Sequence, residues 1–278
     1  MKTATSAAPT TPKNGRVFLV GSGPGDADLL TVKALRLIQN CDVILYDNLV
    51  SEDIKAFFPA ASRKFFVGKS MSNHSIDQQD LNKLMVTLAR KGLSVCRLKG
   101  GDPFIFGRGS EEMLTLHKAG IEAEVVPGIT AASGCTSYAG IPLTHRKVSQ
   151  GCTFITAAAA TALTVNWAAL ASTNHTLVFY MGLSQLPLIC QQLSQHGLSV
   201  DTPAALIENG TQSSQRVLTS TVSELAQQAS EHQFVSPTLI VIGEVVNYRQ
   251  QLQWFEKLAN EAVELTPSET HYPTRLSA

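Results

Sequence analysis

The stretch RLKGGDPFIFGRG, residues 97–109, decides how this chain folds. It closes the apolar run 93–98, which predicts a buried strand, and it continues into two adjacent glycines and Asp102. Glycine allows a backbone to approach a ligand closely, and open parallel sheets bind ligands where their strands end. The residues that follow the strand therefore predict a binding loop.

The same pattern of apolar run, turn and helix occurs on both sides of this stretch. Strands alternating with helices predict parallel βαβ units and an α/β sheet. Four more runs predict strands, and four stretches have helical spacing: strands 16–20, 43–46, 65–67 and 121–126, and helices 29–38, 78–90, 110–118 and 130–138.

The second half has more strands and fewer helices, which predicts a mixed sheet. The predicted strands are 151–156, 176–181, 204–208, 216–221 and 238–246, and the predicted helices are 185–196 and 222–229. The predicted organisation is a flexible tail at 1–14, an N-terminal α/β domain at 15–135, a C-terminal α/β domain at 136–255 and a loose tail at 256–278.

Composition excludes several classes of protein. The hydrophobic fraction of 44% and the charged fraction of 16% are typical of a soluble chain with a large core. The 22 basic and 22 acidic side chains balance, which argues against a nucleic-acid partner because phosphate contacts need a basic surplus. The N-terminus lacks the apolar core of a signal peptide, and the stretch 152–171 is too rich in Ala and Thr for a membrane helix. We therefore expect a cytoplasmic protein with no membrane partner.

The five cysteines are odd in number and form no C-x-x-C pair. This pattern predicts reduced, buried thiols rather than a disulfide framework or a metal site. None is placed beside a His or Lys in a way that indicates a nucleophile.

The turn GSGPGD, residues 21–26, differs from the dinucleotide-binding fingerprint G-x-G-x-x-G. Asp26 stands where the last glycine is required, and an acidic side chain repels a pyrophosphate at that position. A nicotinamide cofactor, and with it a dehydrogenase, is therefore disfavoured.

Other candidates for chemistry also follow predicted strands. Asp47 and Lys69 each stand just after a strand of the first half. Small residues open a helix after Pro127-Gly128, a pattern that suits either a bound molecule or close helix packing. The cations of the run 145–147 are either a binding cluster or a solvated surface.

Together these motifs resemble the tetrapyrrole methylase family. The resemblance runs from about residue 15 to residue 246, and its motifs keep their order along the chain. It rests on VGSGPGDADLLTVKAL, VILYDNLV, VGK, RLKGGDPFIFGRGSEE, VVPGITAASG, AGIPLTHR, TLVFYMGL, TPAALIENGT and SPTLIVIGEVV. Within the family, YDNLV, PFIFGRGSEE and GIPLTHR are most similar to enzymes that act on uroporphyrinogen III.

The resemblance implies two α/β domains with the active site in the cleft between them, and a homodimer. It implies S-adenosylmethionine (SAM) as methyl donor, S-adenosylhomocysteine as its product, and uroporphyrinogen III as acceptor. Two methylations would give precorrin-1 and then precorrin-2, which feeds sirohaem, cobalamin or haem d1 synthesis. As it stands, the sequence is expected to lack the extra N-terminal domain of fused sirohaem synthases.

The resemblance also assigns roles to individual residues. Asp47 matches a proposed proton acceptor and Lys69 a proposed proton donor. Substrate is expected at Arg108, Glu111 and Arg146. The residues expected to bind the donor are Pro24, Gly100, Gly101, Asp102, Ile105, Thr130, Ala131, Met181 and Gly210. No metal ligand is expected.

The chain departs from the family at one place. Members usually read F-x-T-G-H after a strand of the second domain, whereas this chain has Ala157 and Ala158 for the last two residues. Two alternatives stay open at this point. One is another methyltransferase of the same fold, acting later on the corrin ring, on diphthine or on RNA. The other is a protein that binds SAM or a tetrapyrrole without turnover.

Overall fold

The computed structural model describes residues 14–68, 76–158 and 165–255, which form two compact units. The first unit ends at Gly134 and the second begins at Cys135. The predicted division into domains at residue 135 stays a prediction. The predicted tails, 1–14 and 256–278, lie outside the described residues except for Asn14.

The first unit is built on a five-stranded, fully parallel sheet with the order β3-β2-β4-β1-β5. Its strands are β1 (Arg16–Gly21), β2 (Val43–Tyr46), β3 (Arg63–Phe66), β4 (Val95–Lys99) and β5 (Glu122–Val126). Its helices are α1 (Val32–Asn40), α2 (Glu52–Lys55), α3 (Gln78–Arg90), α4 (Gly109–Lys118) and the start of α5 (Ala131–Tyr138).

Both faces of this sheet are covered, because alternate residues of each strand enter different cores. Val17 and Leu19 of β1 pack into a cluster with Leu116 of α4. Phe18 and Val20 of the same strand pack into another cluster with Ile38 of α1. The chain therefore leaves the neighbouring strands β1 and β4 towards opposite faces of the sheet. That divergence is the switch point at which open α/β sheets bind ligands.

The second unit contains a mixed sheet with the order β6-β7-β10-β8-β9. Only β6 and β7 are parallel, and the other pairings are antiparallel. Its strands are β6 (Gly151–Thr156), β7 (His175–Tyr180), β8 (Pro203–Glu208), β9 (Arg216–Thr221) and β10 (Thr238–Ile242). Its helices are α6 (Trp167–Ser172), α7 (Leu186–Gln195), α8 (Leu225–Glu231) and α9 (Arg249–Leu252).

The last described residues pack against the end of α5, within the second unit. Arg249 Nη1 donates to the carbonyl of Ala139 at 2.6 Å, and Trp254 Nε1 donates to the carbonyl of Ser137 at 3.0 Å. The rings of Trp254 and Tyr138 lie 5.0 Å apart, edge to face. The chain after β10 is thus part of the fold of this unit.

The predicted α/β class, with one parallel and one mixed sheet, is confirmed, but the strand predicted at 238–246 was too long. Strand β10 ends at Ile242, because Gly243 has φ 144° and the next residues, Glu244–Tyr248, form a 3₁₀ helix. The helices α2, α6 and α9 were not predicted. They have only four, six and four residues, too few for a helical periodicity to register. None of the described helices is long and apolar enough to cross a membrane.

Candidate active site

The turns after β1 and β4 are joined by backbone hydrogen bonds. Gly101 N donates to the carbonyl of Gly23 at 2.7 Å, and Gly23 N donates to the carbonyl of Gly101 at 3.2 Å. Ser22 N and Oγ both donate to the carbonyl of Lys99, at 2.8 and 3.0 Å. These hydrogen bonds fix the two turns at the switch point relative to each other.

The turn after β5 lies so close to the turns after β1 and β4 that only glycine fits where they meet. A Cβ on Gly21 would lie 2.6 Å from the carbonyl oxygen of Gly101, and a Cβ on Gly128 would lie 2.3 Å from the same atom. Real Cβ atoms do not come so close to backbone. These glycines therefore bring the ends of β1, β4 and β5 together.

Asp102 ties two of these turns to each other. Its Oδ2 accepts from Gly128 N at 3.1 Å, and its Oδ1 accepts from Phe104 N at 2.8 Å. The methyl-donor contact expected at Asp102 stays a prediction. The structure shows that its carboxylate links the turn after β4 to the turn after β5. Ile105, on the same turn, is 36% exposed.

Gly100 and Gly101 have different surroundings although they are adjacent. A Cβ on Gly100 would strike the side chain of Leu49 at 2.4 Å. A Cβ on Gly101, where φ is +68°, would find no heavy atom nearer than Ala131 N at 3.9 Å. The open backbone at Gly101 is the space that a bound small molecule such as SAM would need, so the residues present fit that group.

The start of α5 borders this open backbone. Thr130 accepts at its carbonyl from Ser133 N and Gly134 N, both at 3.0 Å, and so opens the helix. Pro24 packs against α5, since a Cβ on Gly134 would lie 2.5 Å from Pro24 Cγ. Pro24, Gly101, Thr130 and Ala131, predicted from separate motifs, thus come from turns that contact one another.

Asp26, which argued against the dinucleotide fingerprint, has a local structural role. Its Oδ1 accepts from Asp28 N at 2.8 Å and caps the short 3₁₀ helix Ala27–Leu29. The carboxylate of Asp26 therefore points back into its own turn, where it accepts a backbone N–H as helix-capping side chains do.

Asp47 lies at the end of β2 and is held by two contacts. Its Oδ1 accepts from Leu49 N at 3.1 Å, and its Oδ2 accepts from Arg97 Nη2 at 3.2 Å. Its side chain is 24% exposed, so the carboxylate is both fixed and accessible. Lys69, its predicted partner in proton transfer, lies outside the described residues.

Three charged residues behind Asp47 were not predicted as a site. Arg97, Lys99 and Glu112 are almost fully buried, and Lys99 Nζ donates to Glu112 Oε1 at 3.0 Å. Burial first, and then the nearby Arg97 guanidinium, lowers the pKa of Lys99, although Glu112 acts in the opposite direction. A sequence signal exists, because two cations two residues apart in a buried strand must share one face of it.

Arg108 and Glu111, both predicted to bind substrate, pair with each other. Arg108 Nε and Nη2 donate to the two carboxylate oxygens of Glu111 at 2.9 and 2.7 Å. This hydrogen bonding lowers the pKa of Glu111 and raises the pKa of Arg108. Both side chains are about half exposed, so the guanidinium remains within reach of an anionic ligand.

Arg146, in the second unit, lies on a tight turn after α5. His145 N donates to the carbonyl of Ser149 at 3.1 Å, and the His145 ring stacks on Tyr248 at 4.2 Å. Arg146 is exposed and has no ion-pair partner among the described residues. The turn thus presents a guanidinium at the surface of this unit.

Met181 and Gly210 follow β7 and β8, two strands that point the same way on either side of β10. Met181 has φ 54° and is 53% exposed. Gly210 is buried, and a Cβ there would lie 2.3 Å from Cys135 Sγ. Ala157, after the parallel strand β6, is buried at the same edge and lies against Gly182.

The cysteines in the described residues are free, and all except the half-buried Cys152 are buried. Burial raises the pKa of the Cys135 thiol to about 12 and that of Cys190 to about 11. Such thiols are protonated at neutral pH and are poor nucleophiles.

The profile of one protein family, Tetrapyrrole (Corrin/Porphyrin) Methylases, matches residues 16–226. This range contains the strands β1 to β9, and β10 lies beyond it. The chain belongs to the tetrapyrrole methylase family.

Two of the solved structures similar to this chain have names that state an activity. One is uroporphyrin-III C-methyltransferase from Thermus thermophilus complexed with S-adenosylhomocysteine, with a TM-score of 0.73 and 36% identity, covering 84% of this chain and 99% of that one. Another is a cobalt precorrin-4 methyltransferase of cobalamin biosynthesis, with a TM-score of 0.75 and 26% identity, covering 83% and 95%.

Curated relatives of this chain are longer proteins. The siroheme synthase of Pseudomonas fluorescens is 52% identical over 243 residues, which are 87% of this chain and 52% of that protein. The chain therefore spans about half the length of the curated relatives that it matches.

Proposed function

We propose that this chain is a SAM-dependent C-methyltransferase that converts uroporphyrinogen III into precorrin-1 and then precorrin-2. The observation that carries the proposal is the open backbone at Gly101, enclosed by the turns after β1, β4 and β5. A relative of known structure that is 36% identical holds S-adenosylhomocysteine, and its named activity is uroporphyrin-III C-methylation.

In this proposal the donor lies against Gly101 and Ala131, with Pro24, Gly100, Asp102, Ile105 and Thr130 around it. When bound, SAM supplies an activated methyl group on a sulfonium. The rigid turns contribute positioning, which is the main requirement for a transfer that needs little acid or base assistance. Met181 and Gly210 of the second unit are proposed as further contacts.

Uroporphyrinogen III, the proposed methyl acceptor, carries eight carboxylates, and binding them requires cationic side chains. Arg108 and Arg146 are exposed guanidinium groups, and the planar guanidinium binds a carboxylate through two parallel hydrogen bonds. Glu111 orients Arg108 by its bidentate contact. A chain with no net charge can still hold such an anion where cations are concentrated.

Methylation of a pyrrole carbon leaves the ring system with a positive charge, and loss of a proton relieves it. Asp47 is proposed to accept that proton, because its carboxylate is fixed by Leu49 N and Arg97 and is accessible. Lys69 is proposed as the proton donor. The expected product is one for sirohaem, cobalamin or haem d1 synthesis, made by a cytoplasmic homodimer.

The test is mass spectrometry of products formed from uroporphyrinogen III and SAM. The proposal expects one and then two added methyl groups, with S-adenosylhomocysteine formed in equal number. Methylation of a later corrin instead of uroporphyrinogen III would favour a relative of the precorrin-4 enzyme. Binding of both ligands with no methyl transfer in a single turnover would indicate a binding protein and would overturn the proposal.

A further inference from the structure

Four charged side chains form one chain of contacts in the first unit. Asp47 follows β2, Arg97 and Lys99 lie on β4, and Glu112 lies on α4. Arg97 Nη2 donates to Asp47 Oδ2 at 3.2 Å, and Arg97 Nε lies 3.5 Å from Glu112 Oε1. Lys99 Nζ donates to the same Glu112 oxygen at 3.0 Å. We call these four residues the charge chain.

The charge chain is buried at one end and open at the other. Glu112 is 0% exposed, Lys99 4% and Arg97 5%, whereas the side chain of Asp47 is 24% exposed. The three buried groups carry a net charge of +1 when ionised, and an ionised Asp47 brings the sum to zero. Since an uncompensated buried charge is strongly unfavourable, Arg97 requires a carboxylate at the position that Asp47 occupies.

Arg97 has little freedom to move away from Asp47. Its Nη1 donates to the carbonyl of Leu98 at 2.9 Å, which fixes the guanidinium from a second side. Glu112 is itself held by Gln78 Nε2 at 3.0 Å. The guanidinium plane, and with it the position of Asp47 Oδ2, is thus set by groups on β4, α3 and α4.

We propose that Arg97 is a positioning residue that sets the orientation of the Asp47 carboxylate, with Glu112 and Lys99 holding Arg97 in place. This inference rests on the proposed function, in which Asp47 is the proton acceptor. In that step the bond from the substrate to hydrogen breaks, its electrons return to the ring system, and an O–H bond forms on Asp47. Water then takes up that proton, which restores the carboxylate.

A double-mutant cycle tests the inference, with Asp47→Asn, Arg97→Gln and the double variant. Turnover at saturating uroporphyrinogen III and SAM, the KM for the tetrapyrrole, SAM affinity by calorimetry and Tm are measured for each. We expect Arg97→Gln to lower kcat by at least about tenfold while both ligands bind nearly as in the wild type. In the Asp47→Asn background we expect the same change to lower kcat by less than about threefold.

The matched control is Asp42→Asn. Asp42 precedes β2 and its carboxylate binds Ser94, which precedes β4, so this contact joins the same two strands at the opposite edge of the sheet. Its loss is expected to lower Tm and to leave kcat unchanged. A purely structural Arg97 would behave in the same way, with a lower Tm and a retained kcat.

The outcomes separate the inference from the proposed function. If the double variant loses kcat by the product of the losses in the two single variants, Arg97 acts independently of Asp47 and the inference is overturned. A kcat of Arg97→Gln close to that of the wild type also overturns it. If Arg97→Gln does not fold, the cycle is run with Arg97→Lys, which keeps the charge and is expected to retain part of the turnover. An inactive wild-type chain overturns the proposed function together with the inference, whereas an active one with uncoupled effects overturns the inference alone.

Discussion

Asp47 and Asp42 stand at opposite ends of the same strand, and their surroundings differ. Asp42, before β2, accepts from Ser94 N and Oγ at 2.8 and 2.7 Å, so one carboxylate oxygen is fully used by the neighbouring strand. Asp47, after β2, accepts one hydrogen bond at each oxygen and connects to the buried charge chain. Both residues are carboxylates beside the same pair of strands.

The difference reflects the direction of a parallel sheet. At the amino edge the chain arrives from helices, and short polar contacts such as the one between Asp42 and Ser94 fix where strands begin. At the carboxyl edge the chain diverges to both faces, which leaves room for a ligand. The glycines follow the same rule, because the close approach of Gly21, Gly101 and Gly128 occurs at the carboxyl edge. We therefore expect substitutions at the carboxyl edge to change the reaction and substitutions at the amino edge to change stability.

The largest effect is expected for Asp47→Asn. This change should lower kcat by roughly 10²–10⁴-fold with both ligands still bound, because contributions of a general base have that size. Steady-state turnover together with binding calorimetry checks it. If the carboxylate only stabilises the unit, the variant would instead melt at a lower temperature, bind both ligands more weakly and keep the turnover of the bound complex.

Gly101→Val should have the next largest effect, on donor binding. A branched side chain would occupy the open backbone and weaken SAM binding by at least about tenfold, or about 1.4 kcal/mol. Gly120→Val is the matched control, because Gly120 has φ +70° against +68° at Gly101, and a Cβ there would meet nothing within 4 Å. Both variants should lose stability through backbone strain, and only Gly101→Val should lose affinity in calorimetry. Equal affinities in the two variants would remove Gly101 from the donor site.

Substitutions of Arg108, at the carboxyl edge, and of Arg16, at the amino edge, should also differ in their effect on the reaction. Arg108→Ala should raise the KM for the tetrapyrrole by an amount worth roughly 1.5–3 kcal/mol and leave SAM affinity nearly intact, because a charge-assisted hydrogen bond is lost. Arg16 is a matched control, since it also pairs with a glutamate and is 51% exposed against 55% for Arg108. Arg16→Ala should leave the KM unchanged. Arg146→Ala in the second unit should resemble Arg108→Ala, and a loss of SAM affinity instead would contradict both assignments.

The smallest effect is expected for Asp42→Asn, on stability alone. The side-chain hydrogen bond from Ser94, followed by its backbone N–H, lowers the pKa of Asp42. A carboxylate with a lowered pKa in the folded state stabilises the protein above its unfolded pKa of about 3.9, and this stabilisation disappears as the pH falls through the folded pKa. The Tm difference between the variant and the wild type should therefore be present at pH 7 and shrink below about pH 3.9. A difference that does not change with pH would contradict the role of this hydrogen bond.

Strands, helices and turns that depend on residues close together in the chain could be predicted from the sequence. The five strands of the parallel sheet and the longer helices follow from apolar periodicity, and the turns at Gly23, Gly101 and Gly128 follow from glycines at strand ends. The meeting of these turns could be expected in outline, because carboxyl ends of parallel strands share one edge. The pairing of Gly23 with Gly101 also requires β1 and β4 to be neighbours, which is a property of the sheet order.

The contacts that join the charge chain could not be predicted, because they link residues distant in sequence. Glu111 and Glu112 are adjacent, and as helix-opening residues they look equivalent. A helix turns by about 100° per residue, so Glu111 faces outward to Arg108 while Glu112 faces the sheet and is fully buried. Likewise, the spacing of Arg97 and Lys99 puts them on one face of a buried strand, but only the fold brings Asp47 and Glu112 to that face.

The attachment of residues 249–255 to α5 has a consequence for how this domain is transferred between proteins. The family profile stops at residue 226, before β10, the middle strand of the mixed sheet, and before the contacts of Arg249 and Trp254. A cassette cut at the profile boundary would therefore lose its central strand and the segment that anchors α5. Gene fusions or chimaeras built from this chain should keep residues 14–255 together and place any junction outside them.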